Sequence, residues 1–262
     1  MDLEGQVAVV TGSAIGIGRG LCTAFAERGA DVVAIDVDEA ENAATVALAA
    51  AGGRRPAPMA ITCDVGVPAA VKAAADRVLE RFGRVDVLVN NAALWNDTRL
   101  TAGSYDTQVS AFHAALGACA TGAFHVTAAL LPGLRAAGGG NVVNMLTDHV
   151  LPGHHITGYA ATGYDVAKFG LWRLTESWAV ELAPLGVRVN GLSFGATDTP
   201  MLRGVSAELA ERAMTPADLA QAVFNVLAHG PDGPTGQNYV FGMTRAPRLE
   251  HLAGIAAIAP QG

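Results

Sequence analysis

Between Gln6 and Asp36 an apolar run (Val7 to Val10) breaks into the turn Thr11-Gly12-Ser13-Ala14-Ile15-Gly16-Ile17-Gly18. It resumes as a helical pattern from about Ile17 to Arg28 and closes with a second apolar run ending in one acid. Each glycine of the turn serves the geometry: Gly12 permits a sharp exit from the strand, Gly16 allows the backbone close to a diphosphate, and Gly18 allows tight helix packing. The turn presents backbone N–H groups at the positive end of a helix, so an anion is favoured there without a lysine. Asp36 falls eighteen residues after Gly18, at the carboxyl end of the second strand, where a carboxylate accepts hydrogen bonds from an adenosine ribose. A 2′-phosphate there would meet like charge, which favours NAD(H) over NADP(H). The expected dinucleotide contacts are Gly12, Ser13, Gly16, Ile17, Gly18, Asp36 and Val37. In a chain with 31 glycines the glycine triplet alone reads equally as a tight turn; strand, helix and acid together carry the inference.

Apolar residues make up 51% of the 262 positions and charged residues 16%, ample material for a core. One domain over 1–262 is expected, with a C-terminal tail over about 243–262, because no Pro/Ser-rich or charged linker divides the chain. A formal charge of −7 and a pI near 5.4 argue against nucleic-acid phosphate as a partner. No uninterrupted apolar run approaches the ~20 residues of a membrane helix, and the acidic start is unlike a basic signal peptide. Cys22, Cys63 and Cys119 are scattered and lack metal-ligand spacing, which suits free thiols in a cytoplasmic protein.

Downstream, strands and helices alternate. A helix over about Glu39 to Ala51 precedes a strand at Pro56 to Thr62; a helix over Ala69 to Phe82 precedes a strand at Val85 to Val89. Tyr105 to Ala137 is helical, with interruptions near Gly117 and Gly122 and a kink or end at Pro132. Strands follow at Asn141 to Leu146, Val187 to Leu192 and Asn238 to Phe241. The long helix Ala160 to Ala183, a loop over Ser193 to Gly204 and two short helices (Ser206 to Arg212, Pro216 to Ala228) lie among them. The alternation predicts a three-layer α/β fold: a doubly wound Rossmann-type parallel sheet of about seven strands, order 3-2-1-4-5-6-7, flanked by helices. The tail carries an apolar stretch, Leu252 to Ala259, expected to dock on the body or on a neighbouring subunit.

Three further groups sit where such a sheet binds ligands. Asp64 and Val65 close the third strand, where Asp64 could accept from an adenine amino group or cap the following helix. Asn90-Asn91-Ala92 ends the strand at the reversal of strand order; the asparagines could meet the cofactor or simply form a turn. Tyr164 and Lys168 are spaced i, i+4 on one helical face. A tyrosine has a pKa of about 10, so acting as a base near neutral pH requires about 3–4 kcal/mol of preferential phenolate stabilisation. A lysine ammonium in a partly dry cleft is a source of it, although such a pair can also arise from packing alone.

From Gln6 to about Gly242 the chain resembles the short-chain dehydrogenase/reductase family, in the branch whose chains are about this long. The resemblance rests on Gly12/Gly16/Gly18, Asp36, Asp64-Val65, Asn90-Asn91-Ala92, the Tyr164/Lys168 pair and Thr199-Pro200-Met201, in the family's order. It implies that Tyr164 is the general acid/base, that Lys168 binds the nicotinamide ribose and lowers the tyrosine pKa, and that Thr199 contacts the carboxamide. The chain departs from the family pattern in four places. Thr147 stands where a serine is usual, and its seventeen positions to Tyr164 exceed the family's spacing. Cys119 aligns with the asparagine of the family's proton relay. Phe194-Gly195 replaces proline-glycine, with Ala93 likewise in place of a glycine. The segment between Thr199 and Pro216, the family's lid, is short.

The resemblance implies hydride transfer between NAD(H) and a secondary alcohol or ketone, with Thr147 holding the reacting oxygen. A catalytically impaired NAD(H)-binding regulatory or scaffold protein, and a lyase or epimerase using bound NAD transiently, are the alternatives. His149, His154 and His155 read as structural or substrate-lining residues and not as a metal site, and with Trp95, Tyr159 and Met201 they line the expected pocket. The family's habit implies a homo-oligomer, a tetramer or a dimer.

Overall fold

A computed structural model describes residues 1–51, 58–96, 99–151, 161–230 and 232–241, and the backbone of 249–251. The first strand, β1 (Val7–Thr11), is buried along its whole length. Its side chains alternate between two cores: Ala8 and Val10 pack on one face of the sheet, Val7 and Val9 on the other, as the two-residue period of a strand requires. Helix α1 (Gly16–Glu27) follows, then β2 (Asp31–Asp36), α2 (Glu39–Ala50), β3 (Met59–Thr62), α3 (Pro68–Phe82) and β4 (Val87–Asn90). The order reverses between β1 and β4, which pair in parallel through Ala8/Val87, Val9/Leu88 and Val10/Val89.

The second half begins with α4 (Tyr105–Leu116), one π turn (Gly117–Thr121) and α5 (Gly122–Ala136), and continues with β5 (Asn141–Met145), α6 (Thr162–Leu182) and β6 (Arg188–Phe194). Three helices, α7 (Pro200–Val205), α8 (Ala207–Glu211) and α9 (Pro216–Leu227), precede β7 (Asn238–Phe241). Seven parallel strands run β3-β2-β1-β4-β5-β6-β7, as expected, and the carboxyl ends of β1, β4, β5 and β6 share one edge. One face is covered by α1 and α9, whose Phe25 and Phe224 meet edge-on at 5.2 Å. The opposite face carries Val78 of α3, Leu130 of α5 and Trp178 of α6.

Three expectations are corrected, and one helix adds to the membrane reading. An eighth strand, β8 (Leu249–His251), pairs antiparallel with β7; pairing at a sheet edge is made by backbone and leaves little side-chain pattern to read. Pro132 neither ends nor breaks α5, because buried Leu130, Gly133 and Leu134 hold the turn around it. The loop expected up to Gly204 contains α7, which Thr199 caps by accepting the Leu202 N–H and which starts at Pro200, a favoured first helical residue. The stretch Tyr105–Ala136 is long and apolar enough to cross a bilayer by length and composition; here it packs against α3 and α6. His154, His155, Tyr159 and the Leu252–Ala259 stretch lie outside the described residues.

Candidate active site

The glycine turn is built to stay open. Gly12 is in the left-handed region (φ 64°), and a Cβ there would lie 2.7 Å from the Ala92 Cα. Gly16 (φ 56°) faces Thr199, whose Cγ2 is 3.1 Å from the place a Cβ would take. Ile15, the N-cap residue of α1, offers no side-chain acceptor to the first helical N–H groups. These groups and the missing Cβ of Gly16 fit a diphosphate. Gly18 packs against the Gly12 carbonyl and the Asn91 amide, directly after the carboxyl ends of β1 and β4.

The surrounding residues hold this shape. The Asn91 side-chain amide donates to the carbonyls of Thr11 (3.0 Å) and Gly12 (2.9 Å), and the Thr11 hydroxyl accepts the backbone N–H groups of Asn91 and Ala92. Asp36 accepts from the Ala14 N–H (2.9 Å) and the Asp38 N–H (3.0 Å), which fixes its carboxylate at the far rim of the turn beside exposed Val37. The Ser13 hydroxyl is fully buried and donates to Asn42, so that residue can meet a ligand only through its backbone. Ile17 likewise turns its side chain into the core.

At β3 the exposed Asp64 accepts the Gly66 N–H at 2.8 Å. It closes a local turn, whereas the N-cap residue of α3, Val67, makes no side-chain cap. Val65 is buried, and its carbonyl lies 3.0 Å from the His125 Nδ1. Asn90 does not face a cofactor: its amide donates to Thr127 (3.0 Å) and Asn144 (2.8 Å), and the Asn144 amide donates to Thr175 (2.8 Å), all inside the sheet–helix layer.

The expected reacting residues converge at the carboxyl end of β5. Thr147 leaves that strand and enters a single 3-10 turn, Asp148–Val150. Its hydroxyl donates to Asp148 (3.2 Å) and accepts the His149 N–H (3.4 Å). Helix α6 brings Tyr164 and Lys168 alongside, with the Lys168 Nζ 5.6 Å from the phenol ring centroid. Trp95, from the segment after β4, stands edge-on to Tyr164 at 4.9 Å. The π turn places Cys119 in the same small cluster as Tyr164 and Ala167, where the sequence shows only an interruption between two glycines.

The expected electrostatics are corrected by burial. Tyr164 is 9% exposed and Lys168 2%. Burial pushes the phenol well above the usual tyrosine range; Cys119, Asp165 and Asp148 add to this, and a hydrogen bond with Thr147 pulls it back. Burial also lowers the Lys168 pKa, and its ammonium donates to the Met145 carbonyl at 2.6 Å. The lysine therefore does not make the phenol acidic in the protein alone, because desolvation penalises both charged forms at once. Sequence reasoning also missed Asp165, whose carboxylate lies 2.7 Å from the His149 Nδ1. No group of metal-ligating side chains occurs among the described residues.

A family model described as enoyl-(acyl carrier protein) reductase matches residues 12–241. D-threitol dehydrogenase of Mycolicibacterium smegmatis is 37% identical over 193 residues, 73% of this chain and 70% of that protein. A 3-alpha-(or 20-beta)-hydroxysteroid dehydrogenase of Mycobacterium bovis is 31% identical over 91% of this chain and 88% of its own length. A solved chain from Burkholderia xenovorans, described as a short-chain dehydrogenase/reductase, superposes with a TM-score of 0.80 at 32% identity and covers 91% of this chain and 95% of that one. Likeness of this extent, on a sheet of this order, makes the chain a member of the short-chain dehydrogenase/reductase family, an oxidoreductase that moves hydride between a nicotinamide cofactor and an alcohol or ketone.

Proposed function

We propose that the enzyme uses NAD(H) to oxidise a secondary alcohol, or to reduce the matching ketone, with Tyr164 as general acid/base. The observation that carries this reading is the convergence of Tyr164, Thr147 and Lys168 at one sheet edge. The glycine turn sits on that edge, with Thr199 lying over Gly16. When bound, the nicotinamide supplies the hydride acceptor or donor. The chain's own part is to hold and move one proton: the Tyr164 hydroxyl exchanges it with the reacting oxygen, and Thr147 holds that oxygen through a hydrogen bond. Lys168, anchored at the Met145 carbonyl, orients the ribose. Gly12, Ser13, Gly16, Ile17 and Gly18 contribute backbone, and Asp36 the carboxylate for the adenosine ribose. Trp95 and His149, both packed on Tyr164, give the pocket an apolar and a polar wall, which suits a secondary alcohol of medium size.

The preference for NAD(H) rests on Asp36. Replacing it by alanine removes both the ribose acceptor and the charge that repels a 2′-phosphate. Asp36→Ala is expected to weaken NADH binding about tenfold and to narrow the NADH-over-NADPH preference by at least as much, the yield of a hydrogen bond to a charged group. Fluorescence titration with both dinucleotides checks this, and an unchanged preference would refute it.

The same reading takes the chain as one domain that works in the cytoplasm as a homo-oligomer. The buried free thiols of Cys22, Cys63 and Cys119 accord with a reducing compartment. Exposed Phe124 on α5 and Val166, Phe169 and Val180 on α6 supply apolar area for a second copy.

A further inference from the structure

Thr147 and Tyr164 stand on different elements and share a hydrogen bond, and two further bonds cross between those elements beside them. One is the Lys168 ammonium on the Met145 carbonyl. The other joins His149 and Asp165, two residues to which the reading above gives no part in proton transfer. The His149 Nδ1 is 2.7 Å from the Asp165 Oδ1, and both side chains are almost enclosed, at 10% and 13% exposure. We propose that His149 and Asp165 are positioning residues of the hydride-transfer site: their hydrogen bond ties the turn that carries Thr147 to the helix that carries Tyr164, and so fixes the spacing of the two hydroxyls that share the substrate oxygen.

The connections at both ends are short. The His149 backbone N–H donates to the Thr147 hydroxyl, so imidazole and threonine move as one turn. Asp165 is the neighbour of Tyr164 on α6, so its direction is set by the same helix. The imidazole also stands edge-on to the phenol at 6.1 Å and to Trp95 at 5.8 Å. Misplacing a reacting group by a fraction of the productive distance is costly in rate, and a buried hydrogen bond between two otherwise separate elements limits that error.

The tie also has an electrostatic side. The charged and titratable groups facing the phenol are Asp148 and His149 from the turn, Asp165 and Lys168 from α6, and Cys119 from the π turn. Asp165 and Asp148 both push the phenol upward. The imidazole lies between them, with its Nε2 4.0 Å from the Asp148 Oδ1. Removing the Asp165 charge therefore makes the phenol more acidic, whereas removing the imidazole leaves a carboxylate without its partner and makes the phenol less acidic.

The proposal rests on the dehydrogenase reading, and its test separates the two. Ionisation of Tyr164 is followed in the NAD+-bound protein, where the positive nicotinamide offsets the burial of the phenol, by ultraviolet difference against a Tyr164→Phe background, in Asp165→Asn, His149→Phe and His149→Asn. Turnover is measured with NAD+ and D-threitol or cyclohexanol. Asp165→Asn is expected to move the Tyr164 titration to lower pH and His149→Phe to higher pH, each by about half a unit or more. His149→Phe is expected to lower kcat about tenfold with little change in the KM for NAD+. His149→Asn, which keeps a donor near the Nδ1 position, recovers most of that loss. Titrations that stay together, or shift in the same direction in both variants, overturn the proposal, as does an equal kcat loss in His149→Asn and His149→Phe. A wild-type enzyme that oxidises neither alcohol counts against the dehydrogenase reading, and the ionisation shifts still decide whether the tie exists.

Discussion

Replacing Tyr164 by phenylalanine is expected to lower kcat by about a thousandfold, the middle of the range for loss of a positioned acid/base, while NADH binds nearly as before. The substitution keeps the ring that packs against Trp95 and the Cys119 cluster and deletes only the hydroxyl. A phenol held protonated by burial, with Asp148 and Asp165 nearby, has to lose its proton to serve as a base. The favourable contributions come from the Thr147 hydrogen bond and from the positive charge of an oxidised nicotinamide. The ketone-reducing direction, in which Tyr164 begins protonated, is the direction this environment favours in the protein alone. Steady-state and single-turnover rates on the variant check the expectation; a turnover number within a few-fold of wild type would remove Tyr164 from the chemistry.

The second large effect is expected from Gly18→Ala. An alanine in a helix interior gains about 1 kcal/mol over glycine, and Gly18 is not in a left-handed conformation, so propensity alone argues for stabilisation. Contact decides the other way. The new methyl would collide with the Gly12 carbonyl oxygen and approach the Asn91 Nδ2 to 2.8 Å. Gly12 is kept from retreating by Asn91, which holds its carbonyl. Overpacking against backbone costs about 3 kcal/mol; less about 1 kcal/mol of propensity, the net loss is about 2 kcal/mol. The same displacement narrows the turn, and NADH affinity is expected to fall about tenfold or more. Urea unfolding and NADH titration of the variant measure both. A variant as stable as wild type that binds NADH equally well would show that the turn is not closed around Gly18.

What the residues make legible is local. The strand–turn–helix–strand unit with its closing acid is contiguous, and each part depends on neighbours within a few positions. Tyr164 and Lys168 stand out because a helix brings i and i+4 together. Contacts across long separations are not legible: Ser13 is bound by Asn42, Asn90 by Thr127 and Asn144, and His149 by Asp165. Polar residues at strand ends look alike in sequence whether they face a ligand or satisfy a buried network. The sign of the change at Tyr164 is hidden for a related reason, since spacing shows that a lysine is near but not how far burial penalises charge. The edge strand β8 escapes because backbone pairing imposes almost no side-chain pattern on so short a segment.

A dinucleotide is expected to lie across the carboxyl edge of the sheet with the Tyr164 phenol beside its nicotinamide. A crystal structure of the enzyme with NAD+ tests it most directly. The expected result is the pyrophosphate on the Gly12–Gly18 turn, the adenosine ribose on the Asp36 carboxylate, and the nicotinamide between Thr199 and Tyr164 with the phenol hydroxyl facing it. NAD+ bound away from that turn, or a Tyr164 hydroxyl pointing away from the nicotinamide, would contradict it.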